Sequence, residues 1–203
     1  MINEKELVRK EINRLKQSLS DETAACFSQK ICRRLIQTKA FQEANCIALY
    51  HSIKGEVETV SLIEEWYQKK KIALPVISGK DLRFYSYTGK EDTTTGVFGI
   101  REPIRSEEIT TEKIDLFIVP GIAFDRNLNR MGRGKGYYDR FLSETEKPII
   151  GLCFGFRLIE HIPTEKHDKK MTMILTEDTI VSPHHQSPPN RHVDSAQSLS
   201  ASS

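Results

Sequence analysis

Apolar positions along the chain fall into two kinds of run, one with helical spacing and one nearly continuous. Val8, Ile12, Leu15 and Leu19 recur at i, i+4, i+7 and i+11, which predicts an amphipathic helix over residues 3–19. Ser20-Asp-Glu offers a cap and an acidic first turn for a second helix, with Phe27, Ile31 and Leu35 as its stripe. Unbroken apolar runs then predict buried strands at Cys46–Tyr50, Ile72–Ile77, Asp115–Pro120, Pro148–Phe154 and Met171–Thr176. Pro75 inside the second run marks an edge or a strand end, because proline cannot donate to a ladder. Leu82–Tyr87 alternates and predicts a strand with one solvated face. Helical segments intervene around Leu62, Ile63 and Trp66 and from Tyr137 to about Glu144, with a helical turn over Arg157–His161; Thr88–Thr95 is a loop. Apolar strands separated by helices predict an α/β fold, a mainly parallel sheet with helices on both faces, in one domain over residues 1–178. Residues 179–203 turn rich in serine, proline and histidine and cannot offset their ordering entropy, so a disordered tail is expected; its His184, His185 and His192 read as solvated rather than as metal ligands.

The chemistry concentrates in Asn127–Arg140, NLNRMGRGKGYYDR. Gly132, Gly134 and Gly136 alternate with Arg133 and Lys135, and Arg126 to Lys135 holds four cations and no acid. Glycines let successive backbone N–H groups turn toward an anion, and a helix beginning after Gly136 adds free N–H groups at its start. A buried strand, a glycine loop and a helix together make a phosphate-cradling crossover. The loop matches neither a Walker sequence, which needs Ser or Thr where Gly136 stands, nor the G-x-G-x-x-G fingerprint. Lys5 and Arg9, four residues apart, share one helix face at the edge of the apolar stripe; such a pair can reach over a cleft or simply be solvated. Glu56 follows the first strand, where ligands of open α/β sheets usually bind, while Glu58 suits a helix start.

Pro120-Gly-Ile-Ala-Phe-Asp125 followed by Asn129-Arg-Met-Gly-Arg-Gly-Lys-Gly-Tyr-Tyr-Asp139 resembles the central motif of the 5-formyltetrahydrofolate cyclo-ligases. Glu56-Val-Glu-Thr59, Gly96-Val-Phe-Gly-Ile-Arg-Glu-Pro103 and Pro163-Thr-Glu-Lys-His-Asp168 resemble further elements of that family, so the likeness covers roughly residues 3–178. It implies the sugar-phosphate isomerase/CoA transferase-like fold. It also implies an ATP-dependent closure of 5-formyltetrahydrofolate to 5,10-methenyltetrahydrofolate, by phosphorylation of the formyl oxygen. By the same resemblance ATP is held by Lys5, Arg9, Arg130, Gly132, Arg133, Gly134, Lys135, Gly136 and Tyr137. The folate is held by Glu56, His51 and Tyr138, and Mg²⁺ by Asp139 with Glu165 or Asp168. Thr172 stands where the family commonly has an aspartate. For Asp139 the competing reading is a salt bridge to Arg140 or another nearby cation.

Composition adds bounds. The 203 residues are 38% hydrophobic and 29% charged, with 30 basic against 28 acidic side chains, so net charge identifies no partner. Cys26, Cys32, Cys46 and Cys153 lack C-x-x-C or zinc spacing, no apolar run approaches a membrane span, and no hydrophobic signal region opens the chain. The expectation is a cytoplasmic monomer or weak oligomer acting on a reduced folate and ATP, without nucleic acid or membrane. Two other readings stay open at this level: a phosphosugar isomerase or CoA transferase of the same fold class, and a nucleic-acid module using Arg126, Arg130, Arg133, Lys135 and Arg140.

Overall fold

The computed structural model describes residues 4–96, 101–104, 107–143, 145–165, 168–183 and 185–186. In chain order the elements are α1 (Glu4–Gln17), α2 (Asp21–Gln37), α3 (Lys39–Glu43), β1 (Cys46–Ala48), α4 (Val60–Trp66), β2 (Lys71–Ser78) and β3 (Asp81–Tyr87). There follow β4 (Thr93–Thr95), β5 (Arg101–Pro103), β6 (Glu108–Ile109), β7 (Leu116–Val119), β8 (Ala123–Asp125), β9 (Arg130–Met131) and α5 (Tyr137–Leu142). The chain continues through β10 (Ile149–Leu152), β11 (Leu158–Ile159), β12 (Met173–Leu175), β13 (Ile180–Ser182) and β14 (His185–Gln186).

The main sheet runs β14-β13-β12-β10-β7-β1-β2-β3-β6. Its centre, β12-β10-β7-β1-β2, is parallel, and both flanks are antiparallel. Period-two alternation assigns its central strands to two cores. Ile47, Leu116, Ile118 and Ile150 pack with α2, α3 and α4 through Ile31, Leu35, Phe41 and Ile63. Ala48, Phe117, Val119 and Ile149 pack on the opposite face with Leu142 of α5. Both faces of the parallel centre are thus covered by helices, as its near-continuous apolar runs require. The α2 cap forms as its sequence predicts, Ser20 Oγ accepting from the Thr23 N–H at 3.1 Å.

Several expectations are corrected. Pro75 is not on an edge strand, since β2 lies between β1 and β3; but the β1 ladder ends at Ala73, and from Pro75 onward β2 pairs only with β3. The proline therefore faces no β1 acceptor, which is why it is tolerated. Thr88–Thr95 is not wholly loop, because Thr93–Thr95 pairs with Arg101–Pro103. The glycine loop does not leave the buried strand β7 directly. A hairpin, β8–β9, intervenes and joins β11 in a small second sheet, order β11-β8-β9. The turn expected at Arg157–His161 comes earlier, a single 3-10 turn over Gly155–Arg157 leading into β11. Order also continues past residue 178: β13 pairs antiparallel with β12 and β14 with β13, so Met171–Thr176 is not the last strand. Asn3, Glu144, Val97–Ile100, His167, His184, His192 and the tail from 187 lie outside the described residues.

Candidate active site

Beyond the carboxyl ends of β1 and β7 lies a cavity of about 380 Å³. Tyr50, His51 and Glu56 line it after β1, Pro120–Ile122 after β7, and Pro75, Ile77 and Leu82 give an apolar wall from the β2–β3 hairpin. Glu102, from the Glu-Pro element, lines it too, as do Arg130, Gly132, Arg133, Lys135 and Gly136 with Tyr137, Tyr138 and Asp139 of α5. An apolar wall with a few convergent polar groups is the usual make-up of a small-molecule site.

The glycine loop has the shape an anion needs. φ is positive at Gly134 (90°) and Gly136 (65°) but not at Arg133 or Lys135, and this alternation turns consecutive N–H groups into one concavity. Gly136 is also the N-cap of α5. That helix has six residues rather than the eight expected, so cradle and cations carry more of the anion attraction than the helix end does. From behind, Arg140 ties the loop down, donating to the carbonyls of Lys135 at 2.9 Å and Lys80 at 2.6 Å. Arg9 of α1 reaches the loop as expected: a Cβ at Gly134 would lie 3.3 Å from its Nη2. Its buried Nε has no hydrogen-bond partner among the described residues.

Arg130 and Asp139 form the buried floor. Arg130 Nη2 donates to Asp139 Oδ1 at 2.7 Å, with side chains only 3% and 13% exposed, and Nη1 donates to the Pro120 carbonyl at 3.3 Å. The Arg130 guanidinium lies 5.5 Å from the centre of the Tyr138 ring. Burial first, then the Glu56 charge, pushes the Tyr138 hydroxyl well above its ordinary pKa, so it stays protonated. Burial likewise lowers His51, leaving a neutral imidazole at pH 7. Asp139 thus takes up the competing salt-bridge reading, with Arg130 rather than Arg140 as its cation; neighbouring side chains on a helix diverge, whereas β9 runs close by. Glu56 accepts from the Ile53 N–H at 3.2 Å through Oε2 and from Arg133 Nη2 at 2.8 Å through Oε1.

The three expected magnesium carboxylates do not converge. Glu165 and Asp168 hold Lys5, at 2.8 and 3.4 Å, and neither lines the cavity with Asp139. Burial alone would lower the Lys5 ammonium, but hydrogen bonds and charge from Glu165 and Asp168 outweigh it and raise its pKa. Among the described residues no group of three His, Cys, Asp or Glu side chains is arranged to hold a metal ion. Thr172, in the aspartate's place, bonds both backbone groups of Ile149 and anchors the start of β10. Of the five cations in the basic cluster Arg130 is buried, Arg133, Lys135 and Arg140 are exposed, and Arg140 is bonded to carbonyls.

Three groups that shape the site escaped the sequence reading. Arg157 donates to the carbonyls of Gly121, Ile122 and Gly55, stapling the loops after β7 and β1. Lys16, on the same helix face as Lys5 and Arg9, donates to the Lys54 carbonyl at 2.8 Å; burial, then Arg157 and Arg133, lower its pKa. Asp125 is fully buried and accepts from the N–H groups of Asn127, Asn129 and Ile162 and from Asn129 Nδ2. Helix spacing from Arg9 signals Lys16, and Asp-x-Asn signals a turn at Asp125; nothing local signals Arg157.

The chain is similar to proteins already known. A 5-formyltetrahydrofolate cyclo-ligase of Haemophilus influenzae is 30% identical over 177 residues, covering 83% of this chain and 95% of its own. The mouse 5-formyltetrahydrofolate cyclo-ligase is 28% identical over 191 residues, covering 86% and 94%. The solved structure of Aquifex aeolicus 5,10-methenyltetrahydrofolate synthetase superposes with a TM-score of 0.82 at 30% identity, covering 95% of this chain and 99% of that one. The model of the 5-formyltetrahydrofolate cyclo-ligase family matches residues 1–177, and the chain belongs to that family.

Proposed function

We propose that this protein converts 5-formyltetrahydrofolate and ATP to 5,10-methenyltetrahydrofolate, ADP and phosphate. The observation that carries the reading is one cavity in which a loop of alternating φ meets a carboxylate and an apolar wall. The formyl oxygen takes the γ-phosphoryl group and ADP leaves. The neighbouring folate nitrogen closes on the formyl carbon and sheds its proton, and the carbon–oxygen bond breaks to release phosphate. Such chemistry asks for positioning and charge neutralisation rather than for a protein nucleophile. The buried thiols suit that division, since burial pushes Cys32 up to about 12 and Cys153 higher still.

In this reading the N–H groups of Gly132–Gly136 cradle the phosphates, with Arg9, Arg133 and Lys135 as counter-charges. Lys5, held by Glu165 and Asp168, anchors the start of α1 beside them. Glu56 accepts the paired N–H groups of the pterin edge, Tyr138 packs on the folate with Tyr137 on the nucleotide side, and His51 lines the folate pocket as a neutral ring. Mg²⁺ commonly binds phosphates with only one or two carboxylates, so a sparse donor set fits it. Asp139, one of whose oxygens is engaged by Arg130, is the residue that would hold it. When bound, the ion neutralises charge on the phosphate oxygens. The cytoplasm is the proposed compartment, because all four cysteines are free thiols. No helix among the described residues is long and apolar enough to cross a membrane.

The test is direct. Mixed with 5-formyltetrahydrofolate and Mg-ATP, the protein is expected to raise the absorbance of the methenyl product with one ADP released per turnover. Product formed equally well without nucleotide, or none formed with it, overturns the reading.

A further inference from the structure

Arg133 serves both halves of the cavity: its guanidinium belongs to the glycine loop, yet it is paired with Glu56, 77 residues away in sequence. Resting on the function proposed above, we propose that this single side chain couples the two substrates. Nucleotide phosphates draw Arg133 off Glu56, and the released Oε1 accepts the folate's ring N–H. Each substrate thereby prepares the protein for the other.

The pair is unequal in the way such an exchange needs. Arg133 is 61% exposed and Glu56 only 11%, so the arginine is the member free to move. Its backbone neighbours are Gly132 and Gly134, which place no side chain beside it. Arg9 lies against Gly134, so a phosphate held between that guanidinium and the loop sits one residue from Arg133. Glu56 is not left as a lone buried charge when Arg133 departs. Its Oε2 keeps the Ile53 N–H, and its charge is still felt by Lys16 and Arg157. Only one carboxylate oxygen changes partner, so the exchange costs little.

Linkage makes the effect reciprocal: the factor by which nucleotide tightens folate binding equals the factor by which folate tightens nucleotide binding. For one ion pair whose arginine is exposed the expected factor is about 5-fold, the lower end for coupled sites. The experiment is calorimetric titration of the full chain with 5-formyltetrahydrofolate, with and without a saturating non-hydrolysable ATP analogue and Mg²⁺. Wild type is expected to bind folate about 5-fold tighter with the analogue. Arg133→Gln is expected to bring that ratio close to one, because Glu56 is already released. Arg133→Lys keeps the charge without the planar fork and is expected to retain part of the ratio. A wild-type ratio of one, or an unchanged ratio in Arg133→Gln, overturns the coupling. Turnover with independent binding overturns the coupling alone, whereas wild type that binds neither ligand overturns the proposed function with it.

Discussion

Two turns a few residues apart, Asp125–Asn129 and Gly132–Gly136, bend the same chain by opposite means. In the first, Leu128 sits at φ 67°, a conformation that costs a non-glycine residue roughly 1–2 kcal/mol. It is held there by its surroundings: Asp125 collects four donors, and the Leu128 carbonyl accepts from the Met171 N–H at 2.9 Å. In the second turn the positive φ values fall on glycines, which adopt them without strain, and Arg133, Gly134 and Lys135 are exposed. One turn is held because the Asp125 carboxylate and the backbone N–H groups of Asp125, Asn127, Leu128 and Asn129 are matched inside the protein. The other has its glycines and cations at the surface, where the proposed function places a ligand. The rigid turn fixes where β9 begins, and so where the pliable one is presented.

Within the two turns, the largest expected effect comes from breaking the rigid one. Asp125→Ala leaves three backbone N–H groups and an amide without their acceptor in a buried place and lets Leu128 relax. Destabilisation of at least about 3 kcal/mol is expected in urea unfolding, since each buried donor left unmatched costs 1–3 kcal/mol. A loss below about 1 kcal/mol would show that the turn is not held by its carboxylate. Next in size is Gly136→Ala, which puts a Cβ at φ 65° and within 2.9 Å of Arg140 Nη1. A stability loss of about 1–2 kcal/mol is expected, with weaker nucleotide binding because the cradle must open. Equal losses from the two substitutions would erase the distinction between the turns.

Legibility in the sequence followed the range of the interactions. The parallel core was readable because β1, β7, β10 and β12 are unbroken apolar runs whose partners matter less than their burial. The glycine loop was readable because its φ pattern is written into residue type at successive positions. Helix spacing placed Arg9 on one face with Lys5, but only the family resemblance favoured a ligand role over a solvated face. Arg157 was not, because its acceptors lie 35, 36 and 102 residues away and are backbone carbonyls with no side-chain signature. The destination of Glu165 and Asp168 was obscured likewise, since Lys5 is 160 and 163 residues distant. The β8–β9 hairpin was hidden by brevity: strands of three and two residues carry too little periodicity to register.

The smallest expected effect sharpens the contrast most. Arg133→Gln removes a cation from the exposed turn, where its partner is one carboxylate oxygen of Glu56. An ion pair whose cation is exposed contributes little, so the free energy of urea unfolding is expected to change by no more than about 1 kcal/mol. Raising salt should leave even that difference smaller, because an exposed pair is screened. Arg130→Met, three residues earlier, is the control of opposite size. It strips a buried carboxylate of its partner and is expected to cost about 3–5 kcal/mol with little dependence on salt. If Arg133→Gln unfolded the protein as readily as Arg130→Met, the exposed turn would be part of the frame, and a guanidinium needed to hold the fold would not be free to follow a phosphate.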